Sequence, residues 1–281
     1  MGSTRLPNKV MKPIGDTPMI ELLLNRLARA KEVDQIIVAT SIDEHNLPLV
    51  DHVRKLGYAC EQGSENDVLE RYLQTAEKHA ADVVVRITGD CPLVDPKLVD
   101  EAVRRFKAAN VDYCSNTNPP TYPDGLDIEI FTFKALEQAS QGTSAPFDRE
   151  HVTPYLRKPG KFKTSTLQHS QDLSALRWTV DEPADFVVIE KVFKHFHPRT
   201  DFTWSEVRAL QQQQPELFNI NQHLIRNEGA TTGTGQKLWK RAKQIIPGGN
   251  MLLSKRAEMF LPDQWPAYFR KAKGCKVWDL D

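Results

Sequence analysis

Asp82-Val83-Val84-Val85-Arg86-Ile87-Thr88 runs directly into Gly89-Asp90-Cys91-Pro92, and the fold turns on this stretch. Three valines and an isoleucine in a short run have the composition of a strand inside an α/β sheet. Gly89, Asp90 and Pro92 end the run. In open α/β sheets the ligand crevice lies outside the carboxyl ends of the strands, so Asp90 falls where a ligand is expected. Downstream, 96–109 has helical spacing. Upstream, a second short apolar run (35–40, Q-I-I-V-A-T) stands between helical patterns at 19–30 and 45–56, the latter closed by Gly57. A short strand near 58–60 and a helix over 66–80 complete the alternation, which predicts an α/β fold.

The middle of the chain changes character. Residues 118–125 (N-P-P-T-Y-P-D-G) are turn chemistry. Residues 127–133 (D-I-E-I-F-T-F) alternate like an antiparallel strand with one wet face. Residues 177–180 (R-W-T-V) read as a strand that ends in Asp181, and Pro183 suits the first turn of a helix. Residues 195–214 are polar with helical spacing, and 229–235 (G-A-T-T-G-T-G) have linker composition. Beyond it come a basic amphipathic helix over 236–246, a Pro247-Gly248-Gly249 turn and a strand pattern at 274–279.

Composition sets the outer limits. The 281 residues are 40% hydrophobic, enough for a sizeable core, and the 37 basic and 37 acidic residues cancel. That balance gives no global attraction to nucleic acid or to an anionic membrane surface. No apolar run approaches the ~20 residues of a membrane span, and no apolar leader follows Met1. Cys60, Cys91, Cys114 and Cys275 are widely spaced without a C-x-x-C pair. They read as reduced thiols of a cytoplasmic protein.

Four constellations carry chemistry. Gly2-Ser3-Thr4-Arg5-Leu6-Pro7-Asn8-Lys9 combines small residues, whose backbone N–H groups can approach phosphate, with two cations that neutralise it. It is no Walker loop, because G-K-[ST] is absent at the required spacing, and by pattern alone it is equally an ordinary basic terminus. Thr88-Gly89-Asp90 puts a carboxylate where a hard cation on phosphates needs one; the alternative is a turn or helix cap. Arg177-Trp178-Thr179-Val180-Asp181 offers a second strand-end carboxylate, which either shares one Mg²⁺ with Asp90 or caps the helix near Pro183. Tyr122–Glu129, with Arg149-Glu150-His151, supplies acids, an arginine and a histidine suited to a sugar; by spacing alone a solvated strand face is the better reading.

In this order, Gly2–Val10, 39–41, 63–72, 86–92, 122–129, 149–155 and 177–183 resemble the cytidylyltransferase family that includes spore-coat polysaccharide and acylneuraminate or keto-deoxyoctonate cytidylyltransferases. The resemblance covers about residues 1–225, followed by a linker at 226–236. It implies a nucleotide-diphospho-sugar transferase fold, Rossmann-like with a mostly parallel mixed sheet. It further implies attack of a sugar hydroxyl on the α-phosphate of CTP, with release of pyrophosphate, and a homodimer through residues 119–161. Carried over by position, Gly2, Ser3, Arg5 and Lys9 match the phosphate loop. Ser41, Ser64, Asp67 and Arg86 fall near the nucleoside, Asp90 and Asp181 match the magnesium ligands, and Asp124, Asp127, Glu129, Arg149 and His151 lie where the family holds its sugar. Two departures stand out. The family has a first strand, with an arginine at its end, before the loop, and here Met1 stands in that place. Residues 237–281 resemble the start of a class III aminotransferase of the glutamate-1-semialdehyde aminomutase type, whose pyridoxal phosphate (PLP) lysine matches nothing in this chain. Three readings therefore compete: a Mg²⁺-dependent cytidylyltransferase, a non-catalytic nucleotide or sugar-binding module, and a piece of a PLP-dependent fusion.

Overall fold

The computed structural model describes residues 5–224 and, beyond them, 238, 239, 242, 246, 268, 270–273 and 276–278. The chain divides into two compact units, Met1–His223 and Leu224–Asp281.

In the first unit a small antiparallel hairpin, β1 (Pro13–Ile14) with β2 (Thr17–Pro18), delivers the chain into α1 (Met19–Leu27). The apolar face of α1 is buried from Met19 to Leu27. Arg26 on the same helix is also buried, and its guanidinium is satisfied by carbonyls. Nε donates to Val94 O at 3.0 Å, Nη1 to Thr200 O at 2.6 Å and Nη2 to Phe202 O at 2.9 Å. The carbonyls leave burial uncompensated by a full charge, which pulls this guanidinium down to about 10.

β3 (Ile37–Ser41), α2 (Leu47–Lys55) and β4 (Ala59–Gly63) form a β-α-β unit, the two strands pairing in parallel as a separate two-stranded sheet. Next come α3 (Val68–Lys78), β5 (Val83–Arg86), α4 (Pro96–Ala109) and β6 (Tyr113–Ser115). They are followed by β7 (Glu129–Thr132), α5 (Phe133–Gly142), α6 (Pro146–His151), β8 (Thr164–Thr166), α7 (Pro183–Phe196) and α8 (Trp204–Gln213). A four-stranded sheet has the order β5-β7-β6-β8, in which β7 is antiparallel to β5 and β6 while β6 and β8 are parallel. Three of the four strands therefore share one direction. β7 runs against them, so its first residue, Glu129, sits beside the last residues of β5 and β6.

Several expectations are corrected. The 127–133 stretch has no wet face, because apolar clusters cover both faces of β7: Ile130 is buried in one, Phe131 in the other, and Glu129 is buried as well. Val83 of β5 is exposed, since β5 is bonded on one side only. Residues 177–180 form no strand; one isolated parallel bridge, Asp124 to Arg177, is all the pairing they make. Asp181 does not cap α7. Glu182 does, in a capping box with Asp185, whose Oδ2 accepts from the Glu182 N–H at 2.9 Å. The 195–214 stretch is two elements, the end of α7 and all of α8, the latter opened by a second capping box of Thr203 and Glu206.

Gly125 shows why the 118–125 turn is built as it is. Its φ is +103°, and a Cβ there would lie 2.5 Å from the Thr179 nitrogen and the Trp178 carbonyl carbon. Only glycine lets the 124–125 backbone press against 178–179. Asp124 N donates to Leu176 O at 2.9 Å and Trp178 N to Asp124 O at 2.7 Å, sealing the contact.

In the second unit β9 (Lys271–Lys273) and β10 (Lys276–Trp278) pair as an antiparallel hairpin, where the sequence predicts one strand. The linker and most of the aminotransferase-like stretch 237–281 lie outside the described residues, as do Gly2 and Ser3 of the loop. No helix among the described residues is long and apolar enough to cross a membrane. Cys60, Cys91 and Cys114 are buried and free.

Candidate active site

Asn8 adopts a left-handed backbone (φ 57°), which asparagine tolerates, and so launches a single 3-10 turn, Lys9–Met11. Lys9 is thereby aimed at the end of β5. Its ammonium donates to Asp90 Oδ2 at 3.2 Å, to Asp181 Oδ1 at 3.0 Å and to the Val180 carbonyl at 2.7 Å. An ammonium has three donors, and all three are engaged. Arg5 reaches Asp181 as well, with Nη2 3.4 Å from its Oδ1, and its Nη1 lies 3.3 Å from Glu182 Oε1. The Lys9 side chain is 15% exposed and that of Arg5 is 42% exposed.

Asp90 caps no helix, since α4 is capped by Asp95, whose Oδ1 accepts from Lys97 N at 2.8 Å. Instead its backbone carbonyl accepts from Val180 N at 2.9 Å, which ties the second acid-bearing segment to the end of β5. Its Oδ1 accepts from the Thr88 hydroxyl. Burial pushes the Asp90 carboxyl up, but the Lys9 charge and the Thr88 hydrogen bond outweigh it and hold the group below its ordinary value. Burial also works against the Lys9 ammonium, and the charges of Asp90 and Asp181 reverse that and raise it. Both are charged at neutral pH.

Arg177 is the residue the sequence reading missed. It is buried, and it fixes three acids: Nη1 lies 3.1 Å from Asp124 Oδ2, Nη2 2.8 Å from Asp185 Oδ2 and 3.5 Å from Asp181 Oδ2. It therefore joins Asp124 to Asp181 through one rigid fork. Its place at the head of R-W-T-V-D was visible, but its partners came from 53 residues upstream and 8 downstream, which spacing alone does not reveal. Asp127 belongs to the same neighbourhood: burial, then the charges of Asp90, Asp127 and Asp124, push the Cys91 thiol well up.

A second cluster surrounds Glu129. Tyr113 donates to Oε1 at 2.7 Å, Thr153 to Oε1 at 2.6 Å, and Arg86 reaches Oε2 across the β5–β7 register. Arg157 Nη2 lies 3.6 Å away. Burial pushes the Glu129 carboxyl up, and the two arginines and two hydroxyls reverse it to below the ordinary range. The Nε atoms of Arg86 and Arg157 are buried and have no hydrogen-bond partner among the described residues.

A third cluster joins α3 to α6. Asp67 caps α3, accepting from Glu70 N at 3.0 Å, and its other oxygen accepts from Arg149 Nε at 2.8 Å. Ser64 Oγ accepts from Asp67 N at 3.0 Å. So the residue assigned to the nucleoside and the one assigned to the sugar hold each other. His151 stacks edge-on against Phe147 with ring centroids 4.5 Å apart. Ser41, paired with Gly63 at the ends of β3 and β4, accepts from Asn46 Nδ2 at 2.6 Å and serves the turn after β3.

The centre around Lys9 fits Mg²⁺. Two carboxylates and a carbonyl, all hard oxygen donors, converge on one cationic nitrogen, and such donors are the kind that Mg²⁺ takes. Among the described residues no group of three His, Cys, Asp or Glu side chains could hold a metal.

Comparison with known proteins follows this geometry. Residues 1–221 match the family described as Cytidylyltransferase. An uncharacterized protein of Methanocaldococcus jannaschii is 38% identical over 229 residues, covering 79% of this chain and 91% of the relative. The spore coat polysaccharide biosynthesis protein SpsF of Bacillus subtilis is 32% identical over 229 residues, covering 77% and 92%. The structure of a cytidylyltransferase from Leptospira borgpetersenii superposes with a TM-score of 0.75 at 32% identity, covering 78% of this chain and 92% of that one. With residues 1–221 matched by the family model, this chain belongs to the cytidylyltransferase family.

Proposed function

We propose that the chain joins CMP from CTP to an acidic or modified sugar, releasing pyrophosphate, in surface polysaccharide biosynthesis. The observation that carries this reading is the convergence of Arg5 and Lys9 on Asp90 and Asp181. Phosphoryl transfer needs positioning and charge neutralisation rather than a protein nucleophile. The balanced reaction is sugar hydroxyl plus CTP giving CMP-sugar, pyrophosphate and one proton. The hydroxyl oxygen bonds to the α-phosphorus, and the bond to the β-phosphate oxygen breaks with its electron pair.

Arg5 and Lys9 neutralise the triphosphate and the departing pyrophosphate, Arg5 as a fork and Lys9 as a point charge. Asp90 and Asp181 hold the ion, and Arg177 keeps Asp181 and Asp124 in fixed relation. Mg²⁺, when bound, supplies Lewis-acid polarisation of the phosphates. Ser41, Ser64, Asp67 and Arg86 border the nucleoside side, and Asp124, Asp127, Glu129, Arg149 and His151 the sugar side. The buried, unpartnered Nε donors of Arg86 and Arg157 beside Glu129 favour a substrate oxygen or carboxylate there. A homodimer through residues 119–161 belongs to this reading, and a monomer in light scattering at micromolar concentration would remove it. PLP chemistry is assigned to no residue of this chain.

The test is pyrophosphate release with each of the four nucleoside triphosphates and Mg²⁺ across acidic and neutral sugars. CTP-dependent release with one sugar class is expected. A folded protein that binds CTP and releases nothing with any sugar would replace the enzyme by a binding module.

A further inference from the structure

We infer that Lys9 is the resident cation of the carboxylate pair, so that the divalent ion enters only as a nucleoside triphosphate draws Lys9 away. This rests on the cation-site reading of Asp90 and Asp181 above.

The geometry is that of an occupied site. All three ammonium donors are spent on Asp90, Asp181 and the Val180 carbonyl, at 3.2, 3.0 and 2.7 Å. These are the oxygens a metal ion would take. While Lys9 is seated on them, an ion would have to compete with its ammonium for these oxygens. Arg5 strengthens the block, resting 3.4 Å from the Asp181 oxygen that Lys9 uses.

The charges give the direction of the coupling. Lys9 and Arg5 offset Asp90 and Asp181 charge for charge; the neighbouring Glu182, Asp124 and Asp185 outnumber Arg177, so it is the seating of the two loop cations on the carboxylate oxygens, not the net charge, that opposes an ion. A dication arriving alone would meet two nearby positive charges, in surroundings where such repulsion is stronger than in water. A triphosphate changes this by supplying several negative oxygens for both loop cations. The loop can hand its cations over: Lys9 follows a left-handed Asn8 on a single 3-10 turn, and Arg5 is part-exposed. Lys9 leaves the acids still protonated and binds phosphate, and the vacated oxygens take the ion. Ion and nucleotide then bind with positive coupling, each tightening the other by the same factor.

The test is Mn²⁺ binding to the full chain, followed by electron paramagnetic resonance or calorimetry after EDTA treatment, with and without CTP. Lys9→Met is expected to bind Mn²⁺ about tenfold tighter than wild type without nucleotide, the scale of two part-exposed ion pairs removed. The CTP-induced gain in Mn²⁺ affinity should shrink toward one. Lys9→Gln is measured in parallel, so a folding defect in one variant leaves the other to decide. A lysine that served the loop only structurally would produce no gain. Equal or weaker Mn²⁺ binding in both variants overturns the inference. If Asp90→Asn in the Lys9→Met background leaves Mn²⁺ binding unchanged, the cation-site reading itself falls with it.

Discussion

Two acidic centres lie near the carboxyl ends of the same strands, and they hold their charges in opposite ways. Glu129 is walled in, with hydroxyls from Tyr113 and Thr153 on one oxygen, Arg86 on the other and Arg157 nearby. Asp90 and Asp181 are about one-quarter exposed and rest on cations delivered by an entry loop. The first arrangement is expensive to disturb, because removing one partner strands a buried charge. The second is cheaper to disturb, because its acids keep solvent access and Arg5 is part-exposed. Fixed charge suits recognition of a substrate shape, and exchangeable charge suits a step in which phosphates and an ion come and go.

The comparison breaks most readily at Glu129. Glu129→Ala should cost about 3–5 kcal/mol of stability by leaving Arg86 unpaired in the interior, read from urea unfolding. A loss below about 1 kcal/mol, the scale of a surface pair, would erase the distinction between the centres. Gly125→Ala should cost about 1–3 kcal/mol from positive φ and overlap with the 178–179 backbone. It should also lower activity, because that contact places the segment bearing Asp181. Normal turnover in a folded Gly125→Ala protein would show that the contact does not position the site. Thr203→Ala, which removes the α8 cap built from Thr203 and Glu206, should cost about 1 kcal/mol and leave turnover intact. A fall in turnover there would mean that general destabilisation, not the site, governs activity.

The smallest effect is in pH. Glu129 and Asp90 have depressed folded values, so their stabilisation is present above the ordinary carboxylate range near pH ~4 and is lost as pH falls through the folded values. Lys9 has a raised folded value, so its share is complete below its ordinary value and is lost only as pH rises through the folded one. Stability should be flat across neutral pH with an acid limb, and Glu129→Gln should flatten that limb. An unchanged limb would mean Glu129 is not held ionised by its partners.

Much of this was legible in the sequence, for physical reasons that differ by element. A strand within 82–88, in the structure Val83–Arg86, and the helix at 96–109 announce themselves by local pattern, and α4 has the bounds the spacing predicts. Asp90 and Asp181 are legible because both follow apolar runs. What escaped was long-range. β7 alternates in sequence, yet separate apolar clusters cover its two faces and Glu129 is buried with them. The Arg177 fork depends on acids from other segments. Capping of α7 by Glu182 rather than Asp181 is settled by one residue of register, with Asp185 deciding it. Residue type told which chemistry was present, and topology told which groups were free to use it.

The most direct measurement compares pyrophosphate release from CTP by wild type and Asp90→Asn, each shown to be folded, with the sugar class that supports turnover. The variant keeps the shape of the side chain and its place beside Thr88, and its stability should change by about 1 kcal/mol or less. The account predicts a fall in kcat of about 10²–10³-fold, the scale of one lost preorganised charge contact at a phosphoryl centre. Turnover equal to wild type would contradict the claim that the Lys9-bridged acids are where the chemistry occurs.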